Sequence, residues 1–151
     1  MTQAIASKTS LYERDYLLWA EDTLAKLKAR DFENLDIENL IEEIDDLGKS
    51  ERKELKQRLK TLLEHLLKRI YIDMPQNYRG WEITIREQRL QIEIDIDDSP
   101  SLKNIWNESF NPAWRYALKK VRGDYPHLDF PDVWQFARDI DPMLNVDFWK
   151  T

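Results

Sequence analysis

The chain has 151 residues, of which 42% are apolar and 34% charged. That composition gives one folded domain room for a core and excludes a disordered chain. A net charge of −6 argues against general nucleic-acid binding, the lack of cysteine excludes disulfides and thiolate metal sites, and three glycines argue against a phosphate loop.

Residues 1–9 read as a loose tail and 10–151 as a single helical domain. The opening MTQAIASKTS lacks a signal pattern and no run of eighteen apolar residues exists, which fits a cytoplasmic protein with no membrane segment. Ser10 and Glu13 have the spacing of a capping box, so a first helix is expected from there to about Arg30. Tyr12, Tyr16, Trp19, Leu24 and Leu27 form its stripe.

The chain is organised around residues 36–72. Apolar side chains fall at Ile37, Leu40, Ile41, Ile44, Leu47, Leu55, Leu59, Leu62, Leu63, Leu66, Leu67 and Ile70, in steps of three and four. Gly48 and Ser50 allow a break, but Ile44 and Leu55 keep the same face to within roughly 20°, which favours one unbroken helix. Asp36 is its expected N-cap. Gly48 lies on the apolar side, where it would let a neighbour approach closely. Asp31 to Asp46 holds eight acidic and no basic side chains, whereas Lys49 to Arg69 holds eight basic and three acidic ones, matching the helix dipole. A short turn would bring Lys26 and Arg30 near Glu42 and Glu38.

Met74-Pro75 ends the long helix. Residues 79–98 alternate like a hairpin, yet Trp81, Ile85, Ile92 and Ile96 also keep helical spacing and REQR is poor turn chemistry, so helix is expected. Ser99 and Pro100 should start a helix running to about Arg122, kinked at or broken before Pro112. Residues 124–151 read as a wrapping aromatic tail with one short helix near Asp132–Ile140. The expectation is an all-α bundle of four to five helices around one long central helix, with an irregular aromatic C-terminal tail.

The words YERDYLLWAEDT at 12–23, ENLIEEIDDLGKSERK at 38–53, HLLKR at 65–69 and WEITIREQRLQIE at 81–93 resemble a bacterial family catalogued as domain of unknown function number twenty-nine. The resemblance runs from about Tyr12 to Arg122, with LNVDF at 144–148 similar to a closing element. It implies an all-α domain and implies no activity.

Little in the residues carries chemistry. A di-metal bundle needs glutamates and a Glu-x-x-His pair, but Leu62 and Thr61 precede His65, and Glu42 and Glu43 lie about 33 Å away along a straight helix. No metal, cofactor or catalytic set is therefore expected. The polar face with Arg58, His65, Lys68 and Arg69 is the one patch for nucleic acid, and acidic residues of 82–98 answer it more simply. Two functional readings remain. The first is a non-enzymatic protein-interaction module, with self-association or a protein partner, and with Trp134 and Trp149 as contact candidates. The second is an enzyme or small-ligand binder with a site beside His65, Glu82, Arg86, Glu87 and Arg89.

Overall fold

The computed structural model describes residues 10–150. They form six α-helices: α1 (Leu11–Arg14), α2 (Tyr16–Lys28), α3 (Ile37–Tyr71), α4 (Pro75–Asp98), α5 (Trp106–Asp124) and α6 (Ile140–Asn145). Two 3-10 segments, Pro100–Ile105 and Phe148–Lys150, complete the set, and the described residues include no strand. The all-α class and the long helix expected from the sequence are both present. The chain divides into two compact units, one ending at Gly48 and one beginning at Lys49.

In the first unit, Ser10 caps α1 by accepting from the Glu13 amide at 3.3 Å, as its spacing predicts. The helix then stops at Asp15, whose extended backbone lets its carboxylate accept from the Leu18 amide at 3.0 Å and cap α2. The single expected helix is thus two, because aspartate is better used as a cap than in a helix interior. α2 ends in a Schellman turn: the Asp31 amide reaches the Lys26 carbonyl and the Arg30 amide reaches that of Leu27. Arg30 takes the left-handed position of that turn, with φ of 60°.

Asp36 starts α3 as expected, accepting from the backbone and side-chain amides of Asn39 at 3.4 and 2.7 Å. It also accepts from the Trp19 indole at 3.2 Å. The hydroxyls of Tyr12 and Tyr16 donate to the two carboxylate oxygens of Glu43, and the rings of Tyr12, Tyr16 and Trp19 pack on one another. Two phenols therefore meet the acidic run, while Lys26 pairs with Asp22 of its own helix at 2.8 Å. Of the expected stripe only Trp19 is buried; Tyr16, Leu24 and Leu27 are exposed. On α3, Ile37, Ile41, Ile44 and Leu47 are also exposed. Beyond the adjoining backbone of its own helix, nothing lies within 4 Å of where a Gly48 Cβ would be, so the close neighbour expected there is not found.

The second unit buries what the first does not. Leu55, Leu59, Leu62, Leu63, Leu66 and Leu67 of α3 are all but inaccessible, each adding roughly 1.5–3 kcal/mol by burial. Against them lie Ile85, Ile92 and Ile96 of α4, Trp106, Phe110, Ala113 and Ala117 of α5, and Met143 and Phe148. α4 settles the ambiguity over 79–98: Trp81, Ile85, Ile92 and Ile96 are buried, while the alternating Leu90 and Ile94 face out. Before α5 the chain makes a 3-10 turn, and Pro112 lies inside the α-helix rather than at its break.

The tail wraps as expected but its helix falls later. Residues 132–139 are irregular, and α6 begins at Ile140. Indole N–H groups hold that irregular stretch, with Trp106 donating to the Arg138 carbonyl at 2.8 Å, Trp114 to Asp132 at 3.1 Å and Trp134 to Ala137 at 3.1 Å. Trp134 sits among Trp114, Phe136 and Phe148, and Trp149 packs on the core, so both proposed contact tryptophans are half-buried inside the fold.

Candidate functional site

The second unit carries a groove of about 930 Å³ between the start of its α3 segment and α5. On α3, Lys49, Arg52, Lys53, Lys56 and Lys60 follow one another at helical steps and so line one side. Lys119 and Lys120 close the other side, and Glu108 is the single acid among the lining residues. Ile105, Pro112 and Tyr116 give the lining an apolar part. Some of the positive charge is answered locally, with Lys60 at 3.9 Å from Glu64 and Lys120 at 3.0 Å from Asp124. The Lys120–Asp124 pair is surface-exposed and weak. Cationic and apolar residues together line a trough about 16 Å long from Lys49 to Lys60 at 1.5 Å per residue.

The five residues expected to share a ligand site go to separate duties. The His65 ring hydrogen-bonds the Thr61 carbonyl through Nδ1 at 2.8 Å, and burial holds its pKa below the usual histidine value, with Lys68 and Lys120 acting in the same direction. Glu82 accepts from Arg69 at 2.7 Å. Arg89 is buried and donates to the carbonyls of Met143 and Val146, with Asp147 at 3.4 Å. It therefore ties α4 to the tail. Arg86 and Glu87 are exposed on α4.

The expected nucleic-acid patch is likewise engaged. Arg58 meets Asp95 at 3.2 Å and Glu54 at 3.5 Å, Arg69 meets Glu82, and Lys68 lies 3.8 Å from Glu64. The Asp95 carboxylate beside Glu54 raises the Glu54 pKa, with burial adding to the rise. Charge on this face is answered by Asp95 and Glu82 of α4, as the sequence suggested, and by Glu54 and Glu64 of α3 itself. The groove uses a different face of α3 and was missed because half of it comes from α5. A signal was there in the spacing of Arg52, Lys53, Lys56 and Lys60.

Among the described residues, no group of three or more His, Asp or Glu side chains converges as a metal site. No helix among the described residues is long and apolar enough to cross a membrane. No buried side-chain nitrogen or oxygen among the described residues lacks a partner. One family model, described as domain of unknown function DUF29, matches residues 11–149. Neither the curated proteins nor the solved structures gave a match.

Proposed function

The chain belongs to the DUF29 family, and we propose that it is a non-enzymatic protein-interaction module of the bacterial cytoplasm, working through the basic groove of its second unit. One observation carries the reading: seven cationic residues share the groove lining with apolar Ile105, Pro112 and Tyr116. A purely electrostatic site would not need Ile105 and Tyr116 in its lining. An amphipathic helix with acidic flanks would use both features, its apolar side on the apolar residues and its carboxylates on the cations. Three turns of such a helix fill about 16 Å. Nucleic acid would use the cations alone, against a whole-chain charge of −6.

The test is fluorescence anisotropy with a labelled acidic amphipathic peptide, set beside a basic peptide and a DNA oligonucleotide. The acidic peptide is expected to bind in the micromolar range, more weakly as salt rises. Lys53→Glu with Lys56→Glu should lower that affinity at least tenfold. Binding of the oligonucleotide in place of the acidic peptide, or binding of neither, overturns the reading.

A further inference from the structure

The first unit has the opposite character. Its described residues hold twelve acidic and four basic side chains. Along the first turns of α3, Ile37, Ile41 and Ile44 follow at steps of four and three, so they share a face. Ile41 is 62% exposed and Ile44 63%. Glu38, Glu42 and Asp46 are exposed on the same three turns. An exposed aliphatic stripe with acidic flanks is the ligand chemistry that the groove asks for, and carried on to the exposed Leu47 it spans about 15 Å, close to the groove's length.

We propose that the groove is occupied by the α3 segment Ile37–Leu47 of a second copy of this chain, so that the protein pairs with itself. This rests on the interaction reading above and names its partner. A helix does not reverse on itself and α3 is unbroken from Ile37 to Tyr71, so the segment reaches a groove on another chain. Charge decides which surfaces meet. Two acidic stripes face to face would repel, as would two cationic grooves, whereas stripe on groove pairs carboxylates with lysines and covers apolar surface on both sides. Area points the same way. A stable dimer needs roughly 800 Å² from each partner, or about 400 Å² per contact if each copy both gives and receives a segment. Four aliphatic side chains, each about half to two-thirds exposed, supply area of that order. Reciprocal exchange also closes the assembly at two copies, the commonest symmetry for soluble oligomers.

Sedimentation velocity on the full chain tests this, across micromolar concentrations and at about 50 and about 500 mM salt. A concentration-dependent dimer is expected, with an association constant at least tenfold weaker at high salt. Two charge-reversed chains make the test specific. One carries Glu38→Lys, Glu42→Lys and Asp46→Lys; the other carries Arg52→Glu, Lys53→Glu and Lys56→Glu. All but Lys56 are exposed, and circular dichroism checks that both chains fold. Each alone should be monomeric, and an equimolar mixture should regain the dimer, because reversed segment then meets reversed groove and native meets native. A monomeric wild type at about 100 µM, a dimer untouched by either set, or a mixture that stays monomeric overturns the proposal. If the wild type is monomeric but the acidic peptide still binds, self-pairing fails and the groove reading stands. If the wild type dimerises but charge reversal has no effect, self-pairing through the groove fails, and the groove reading fails with it only if the acidic peptide does not bind.

Discussion

Replacing Arg89 with methionine should unfasten the tail from α4 while leaving the packing of the side-chain stem intact. The guanidinium donates to the Met143 carbonyl at 2.8 Å and to the Val146 carbonyl. Hydrogen bonds from a charged donor contribute about 1.5–3 kcal/mol each, so two of them give roughly 3–6 kcal/mol. Asp147, at 3.4 Å and more than one-third exposed, adds little. For a domain of this size the loss corresponds to a fall in Tm of roughly 6–24 °C. Thermal unfolding followed by circular dichroism measures the total, and hydrogen exchange over residues 140–150 shows where it is lost. The exposed Arg86→Met on the same helix is the control and should stay within about 0.5 kcal/mol. A loss below about 1 kcal/mol, or tail amides that exchange no faster, would refute the assignment of Arg89 as the clasp.

Leu59→Ala, at a site with 0% exposure, should cost about 2–5 kcal/mol in urea unfolding, whereas Ile44→Ala, 63% exposed, should cost within about 0.5 kcal/mol in dilute monomer. Equal losses would show that the two stretches of α3 are buried alike. Glu43 is held below the usual glutamate range by the hydroxyls of Tyr12 and then Tyr16, and Asp36 below its own by Asn39. Both carboxylates therefore stabilise the first unit above the ordinary carboxylate range and lose that contribution as pH falls through their lowered values. In an NMR titration Glu43 should have a lower midpoint in the wild type than in Tyr12→Phe/Tyr16→Phe; equal midpoints would remove the phenols as the cause. Arg30→Gly should raise stability by about 0.5–1 kcal/mol, because glycine takes φ of 60° without a Cβ clash. A drop in melting temperature would mean that the arginine side chain does more than fill the turn.

The long helix was legible almost to the residue, 36–72 expected and Ile37–Tyr71 found, because a three-and-four apolar rhythm over that length has no other explanation. The α4 assignment also followed from spacing, and the hairpin signal was two exposed isoleucine-class positions, Leu90 and Ile94, laid over a true helical face. Helix interruptions were harder to see. Asp15 resembles any charged surface residue until its carboxylate is seen capping α2, and the 3-10 turn at Pro100–Ile105 has no apolar signature of its own. Coverage was not legible at all. Ile41 and Leu59 occupy equivalent places in the pattern, yet one is 62% exposed and the other 0%. Periodicity fixes which way a side chain points and is silent on whether anything lies there. The groove was hidden for a related reason, since Lys53 and Lys119 meet only once α3 and α5 are packed.

The irregular stretch between α5 and α6 is fastened by indoles and guanidinium groups that reach for backbone carbonyls, and this shapes which positions can change. A carbonyl oxygen is the same whatever residue bears it, so the acceptors at Phe130, Asp132, Ala137 and Arg138 are interchangeable in that role. The donors Trp106, Trp114, Arg122 and Trp134 have no such freedom, because few other side chains offer a hydrogen at that reach. A saturation scan should therefore find tolerance at the acceptor positions Asp132 and Ala137 and intolerance at the donors, three of them on α5 and the fourth, Trp134, within the irregular stretch itself.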